Sequence, residues 1–184
     1  MSQLQKWQLL NSQFIVDNRW CRVRRDEVAL PDGTVIDDYF VNVRPDIALV
    51  LPVTCDRHVV FVRQYRHGVQ EVLLELPAGA FHPQQEDGEV AAKRELAEET
   101  GYTSPHWEKL ATLFDNPVKD TNQIHLFLAR DVQQTQPQDL DLTEDIEVVL
   151  LPLKAVPEKI YTGEIKVSGT IAALFWGIQY VQFL

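Results

Sequence analysis

Three glutamates, Glu95, Glu98 and Glu99, stand within five residues of a stretch, Asp87 to Thr100, that reads as a helix. Acidic residues fill its first turn and Gly101 supplies its stop. At roughly 100° per residue the three carboxylates fall within an arc of about 100°, so they share one face. Like charges at that spacing cost an isolated helix on the order of a few tenths of a kcal/mol per pair. Solvent, a basic partner or a cation must offset the repulsion. Val90 and Leu96 are expected to face the core, with small Ala91 and Ala92 flanking the acids. The loop at Gly79 brings backbone groups up to the helix N-terminus, as hard-cation and diphosphate sites require. Magnesium takes carboxylate oxygens and keeps waters, so it would screen both the clustered acids and a bound diphosphate.

Around this helix the chain reads mostly as strand. Pro31-Asp32-Gly33 is turn chemistry between two runs rich in Val, Tyr and Phe, which makes Trp20 to Val43 a hairpin. After Arg44-Pro45, strands are expected at Ile47 to Val53, Val59 to Val62 and Val72 to Leu76. Further strands are expected at Glu108 to Leu113, Gln123 to Ala129 and Glu147 to Leu151, with a loop from Arg130 to Glu144. A short helix at Leu153 to Tyr161 and an apolar one at Ser168 to Phe183 close the chain. This order implies an α/β (α+β) fold, an α/β/α sandwich around a mixed sheet with an N-terminal hairpin extension. Residues 1–44 are expected to form antiparallel strands and residues 45–184 the catalytic domain.

At 184 residues one such domain has a sufficient core. A net charge of −10 repels nucleic acids and anionic membranes, and no apolar run is long enough to span a bilayer. The N-terminus from Met1 carries no cleavable leader pattern, so the cytoplasm is the expected compartment. Cys21 and Cys55 are read as inert packing thiols, and the five histidines lack ligand spacing.

From Glu86 through Arg94-Glu95-Leu96-Ala97-Glu98-Glu99-Thr100-Gly101-Tyr102 the chain closely resembles the Nudix box, a glycine, then a glutamate, then Arg-Glu-U-x-Glu-Glu-x-Gly-U with U apolar. Its one departure is six residues between Gly79 and Glu86 instead of five. Val60-Phe-Val-Arg63-Gln64-Tyr65-Arg66 and Leu74-Glu75-Leu76-Pro77-Ala78-Gly79 are similar to strands of the ADP-ribose pyrophosphatase and nucleoside diphosphate sugar hydrolase branch. Glu144 to Val149 and Gly163 to Leu174 fit the same branch.

The resemblance implies hydrolysis of a diphosphate linkage with Mg2+, or Mn2+, held by the Ala78 carbonyl, Glu95, Glu98 and Glu99. It implies that Arg94 orients a glutamate and that Glu144, or its neighbour Glu147, is the base. Arg44, Arg66 and Glu75 match substrate contacts, and Trp20 and Tyr39 match aromatics that sandwich a nucleobase. It also implies a homodimer in which the N-terminal strands pair and help build the substrate pocket. Lys119 and Asn122, in a loop that departs from the branch, are placed to meet a different sugar or phosphate. The alternatives are a Nudix hydrolase of dinucleotide cofactors or nucleoside triphosphates, and a non-catalytic nucleotide-sugar sensor.

Overall fold

The computed structural model describes residues 4–182, with side chains as far as 178; Met1 and the expected last helical residue, Phe183, lie outside the described residues. Two compact units divide the chain, one of residues 1–45 and 114–122, the other of residues 46–113 and 123–184.

The first unit holds an antiparallel sheet of β1 (Gln8–Asp17), β2 (Arg22–Ala29) and β3 (Val35–Asn42), in that order. The expected β2-β3 hairpin turns at Gly33, whose φ of 87° is a conformation that costs glycine little. Asp32 helps close that turn by accepting the Thr34 N–H at 2.9 Å. Strand β1 was not legible in the sequence. Its apolar residues do not alternate, and all ten positions are exposed.

The second unit contains β4 (Asp46–Val53), β5 (His58–Arg66), β6 (Glu71–Glu75), β7 (Ala78–Phe81), helix α1 (Gly88–Thr100), β8 (Tyr102–Thr103), β9 (His106–Phe114), β10 (Gln123–Arg130), β11 (Gln133–Gln134), β12 (Ile146–Pro152), α2 (Val156–Tyr161) and α3 (Ser168–Gln182). The last residue of β9, Phe114, groups with the first unit. The expected loop 130–144 carries a short strand, β11, paired with β8.

The sheet runs β12-β5-β4-β10-β9, parallel between β4 and β10 and antiparallel between β12 and β5 and between β5 and β4. One edge of β5 is taken by β12 and one edge of β4 by β10, each along nearly the whole strand. Their facing edges meet in the single pair Val53↔Val59 and then diverge. Into this fork fit β6, paired to β5, and β7, paired to β4. The Pro77 carbonyl accepts the Val50 N–H at 2.9 Å and so holds the β6-β7 corner inside the fork.

Each face of the sheet has its own core. Leu49, Leu51, Phe61, Leu126 and Leu128 pack with Ala173 and Leu174 of α3, while Ala48, Val50, Val60 and Phe127 pack with Ala91, Ala92 and Leu96 of α1. Helices on both faces give the expected α/β/α sandwich. Burying roughly 1.5–3 kcal/mol of transfer free energy per large apolar side chain, these two layers fix α1 rigidly on the sheet.

Two expectations need correction. Val90 is 55% exposed, because Ala91 and Ala92, one and two steps further round the helix, take the core side. Cys21 and Cys55 are exposed rather than packed: each lies near the tip of a connection between strands, where no core is within reach.

Candidate functional site

Helix α1 begins at Asp87, whose carboxylate accepts the Glu89 N–H at 2.8 Å, and ends at Gly101 with φ 74°. Those caps set which turn faces the fork. The Glu95 carboxyl lies directly on Gly79: a β-carbon there would stand 1.8 Å from Glu95 Cδ. One turn on, Glu99 is 3% exposed and accepts the Ala78 N–H at 3.1 Å. Ala78 and Gly79 thus bring the start of β7 against two of the three acids.

Arg94 holds the outer rim. Its guanidinium donates to both oxygens of Glu86, each at 3.1 Å, to Glu95 at 2.7 Å and to Glu98 at 3.0 Å. These bonds, with Glu86 first, raise its already high pKa against the opposing effect of burial. Burial pushes Glu99 up to about 8, opposed by the Ala78 N–H and reinforced by the charges of Glu95 and Glu144, while Arg66 draws it down. Burial also raises Glu95, against the bonds and charge of Arg94, with Glu98 and Glu144 adding to the rise. Both shifts have the same physical origin: carboxylates removed from water and crowded by other carboxylates.

Among the described residues no three acids converge closely enough to enclose a metal ion. Glu95 and Glu98 are turned to Arg94, and Glu99 to Ala78. The cluster nonetheless carries more negative than positive charge, with Glu86, Glu95, Glu98, Glu99 and Glu144 against Arg94 and Arg66. Oxygen donors, excess negative charge and carboxyls held above their ordinary range form a set that suits a hard divalent cation. To hold such an ion, Glu95 and Glu98 would have to turn from the arginine.

The remaining expected residues sort by unit. In the second, Glu75 is 6% exposed and accepts from Arg66 Nε at 2.8 Å, Arg66 Nη2 at 2.7 Å and Gln64 Nε2 at 3.3 Å. Its carboxylate is engaged in holding Arg66. Glu144 stands close enough to raise both Glu95 and Glu99, whereas Glu147 pairs with Arg63 at 2.8 Å on the strand β12.

In the first unit, Arg44 pairs with Asp115 at 3.4 Å and Asp120 at 3.3 Å. Trp20 and Tyr39 each have neighbours of their own. Trp20 is 75% exposed with the Arg19 guanidinium over its ring at 4.3 Å, while Tyr39 meets Trp7 edge-on at 5.9 Å and the Lys119 ammonium at 5.0 Å. Asn122 is 1% exposed, and its side-chain Nδ2 and Oδ1 have no hydrogen-bond partner among the described residues. Gln64 and Glu86 were not singled out from sequence. Glu86 had a signal in its place within the Nudix-like motif, but Gln64 needed the β5-β6 register to be seen.

Comparisons with known proteins agree with this geometry. A family model described as NUDIX domain matches residues 43–168, and one described as nucleoside diphosphate sugar hydrolase N-terminal domain matches residues 7–42. A protein of Bacillus methanolicus named methanol dehydrogenase activator is 30% identical, over 99% of this chain and 96% of its own length. The ADP-ribose pyrophosphatase of Bacillus subtilis is 30% identical over 85% of this chain and 82% of its own. A GDP-mannose pyrophosphatase of Escherichia coli is 36% identical over 63% and 64%. A crystal structure of an ADP compounds hydrolase, 22% identical, superposes with a TM-score of 0.87 over 100% of this chain and 98% of that one, which shows the shared fold. With a family model covering more than half of its residues, including the whole acidic helix and the fork it packs on, the chain belongs to the NUDIX domain family.

Proposed function

We propose that this protein hydrolyses the diphosphate linkage of ADP-ribose or a related nucleoside diphosphate sugar, releasing a nucleoside monophosphate and a sugar phosphate. The observation that carries this reading is the placement of half-buried Glu95 and buried Glu99 against Gly79 and Ala78, with excess negative charge in the fork. The match of residues 7–42 to a nucleoside diphosphate sugar hydrolase domain and the names of the relatives point to the same substrate class.

Nudix hydrolases of this kind use a divalent metal; here Glu95, Glu98, Glu99 and the Ala78 carbonyl would hold it, with Mg2+ as the ion and Mn2+ as a substitute. When bound, the ion neutralises diphosphate oxygens and polarises the reacting phosphorus centre. Arg94 orients Glu95 and Glu98, two of the side chains that would hold the ion. Arg66, braced by Glu75, presents a planar fork to a phosphate. Glu144 takes a proton from the attacking water, whose oxygen bonds to phosphorus as the bridging P–O bond breaks and its electron pair leaves with the departing phosphate. Glu147, tied to Arg63, is the poorer base. Arg44, Trp20 and Tyr39 are the proposed contacts of residues 1–44.

The apolar side chains that β1 exposes, Leu9, Leu10, Phe14 and Ile15, support a homodimer formed through the N-terminal strands. Among the described residues no helix is long and apolar enough to cross a membrane, and the cytoplasm is the proposed compartment.

A second reading, a regulator of a partner enzyme, is favoured by the activator name of a relative aligned over 99% of the chain. The complete acidic set on α1 favours catalysis.

Product analysis by chromatography on a nucleotide-sugar panel with magnesium tests both. ADP-ribose should give AMP and ribose 5-phosphate, and Glu99→Gln should lower kcat by at least about 100-fold with the fold intact. A folded wild-type protein that cleaves no member of the panel, or full activity in Glu99→Gln, rejects the reading.

A further inference from the structure

The segment that follows β11 is bonded to the end of the acidic helix. The Thr135 and Gln136 N–H groups donate to the Gly101 carbonyl at 3.0 and 3.3 Å, and the Asp139 N–H donates to the Glu98 carbonyl at 2.9 Å. Gln138 adds its side chain: Nε2 donates to the Glu99 carbonyl at 2.6 Å and to the Ile146 carbonyl at 3.2 Å. Carbonyls that the last turn of a helix leaves open are thereby satisfied by a loop 34 to 41 residues on. The fit is close. At Gly101 a β-carbon would stand 2.1 Å from the Gln136 carbonyl oxygen, so the loop reaches the helix where there is no side chain to keep it off.

Gln138 differs from the other donors in what it joins. One bond reaches the turn that carries Glu98 and Glu99; the other reaches Ile146, the first residue of β12. Between these anchors lies Glu144, in a turn whose N–H groups bind the Asp141 carbonyl at 2.9 Å and the Glu144 carboxylate at 3.0 Å. Among the described residues, the hydrogen bonds of this turn are internal to it, and its links to α1 come from Gln138 and Asp139 just before it. A carboxamide donates two hydrogens, one to each anchor, and a hydrocarbon of the same length donates none.

We propose that Gln138 is a positioning residue, whose carboxamide ties the loop of Glu144 to the last turn of α1 and so sets the distance between the base and the acidic face. The inference rests on the reading of Glu144 as the base. Gln138 does not touch the reacting atoms; it acts through Glu144.

The test is a double-mutant cycle of Gln138→Met and Glu144→Gln in the full chain, assayed with ADP-ribose and magnesium. Misplacing a reacting group by about 1 Å costs up to about 100-fold. Gln138→Met should therefore lose about 10- to 100-fold in kcat, with KM and the magnesium half-saturation within about twofold of wild type. In the Glu144→Gln background the same change should cost less than about twofold, because the group it positions is already gone. A purely structural role would lower activity equally in both backgrounds, and that result overturns the inference. So does wild-type kcat in Gln138→Met beside an inactive Glu144→Gln, which leaves the reading of Glu144 standing. Wild-type kcat in Glu144→Gln removes the base assignment and the inference together. Gln138→Ala, which cannot overfill its site, should reproduce the loss.

Discussion

Adding one methyl group at Gly79 should disable the enzyme while sparing the fold. The new β-carbon of Gly79→Ala would stand 1.8 Å from Glu95 Cδ and 1.9 Å from its Oε1. Ordinary contact begins at 3.4 Å, so the carboxyl must retreat by the difference, 3.4 − 1.8 = 1.6 Å. The obstacle is the far end of a side chain, which rotates away without moving β7 or α1. Overpacking of this kind costs about 1–3 kcal/mol, a fall in Tm of up to roughly 10 °C for a chain of this size. The chemical cost is larger, because a displacement of about 1 Å at a reacting constellation loses up to 100-fold. We expect kcat down by about 10- to 100-fold and a weaker magnesium dependence, with circular dichroism unchanged. Steady-state kinetics on ADP-ribose with a magnesium titration measures both. A Gly79→Ala protein within twofold of wild-type kcat would show that Glu95 need not lie on β7, and the site as built here would be wrong.

The raised pKa of Glu99 gives a sign for pH dependence. Between the ordinary value of 4.5 and about 8 the folded, metal-free state holds a proton that the unfolded chain has lost, so stability falls as pH rises. The slope approaches about 1.4 kcal/mol per pH unit for one such group. Urea midpoints in chelator at pH 5.5 and 8 should fall for wild type and fall less for Glu99→Gln; equal slopes refute the assignment. Magnesium binding near pH 7 should release protons, read by calorimetry in buffers of different ionisation enthalpy, and no buffer dependence contradicts it. Glu75→Gln should cost about 1–2 kcal/mol and raise KM, because Arg66 and Gln64 lose a buried charged acceptor. An unchanged urea midpoint counts against the bracing role.

The acidic helix was legible because its information is local. Spacing within α1 places Glu95, Glu98 and Glu99 on one face whatever surrounds them, and Asp87 and Gly101 mark its ends by chemistry confined to one turn each. The hairpin turn at Gly33 is local in the same sense. What sequence did not disclose depends on partners distant along the chain. Strand β1 shows no alternation, since neither of its faces is buried in the described structure. Val90 and Ala91 exchange roles because the arc an α-helix buries is set by the sheet beneath it, not by the ranking of side-chain hydrophobicity.

The same distinction explains why motif residues alone do not make the site. Val53 and Val59 are the last point at which β4 and β5 touch, and beyond it the edges of both strands need new partners. Strands β6 and β7 supply them, and the corner joining them, Leu76-Pro77-Ala78, is thereby carried into the sheet with Glu75 on one side and Gly79 on the other. Once α1 packs across β4 and β7 through Ala91, Ala92 and Leu96, Glu95 and Glu99 face this corner. The backbone N–H of Ala78 and the bare Cα of Gly79 are the surfaces that admit the buried Glu99 and half-buried Glu95 carboxyls there; any residue with a side chain at 79 would fill the space. Carboxyl chemistry at this position is therefore a property of how the sheet splits: burial there is the largest cause of the raised pKa values of Glu95 and Glu99, and the charges of neighbouring glutamates add to it.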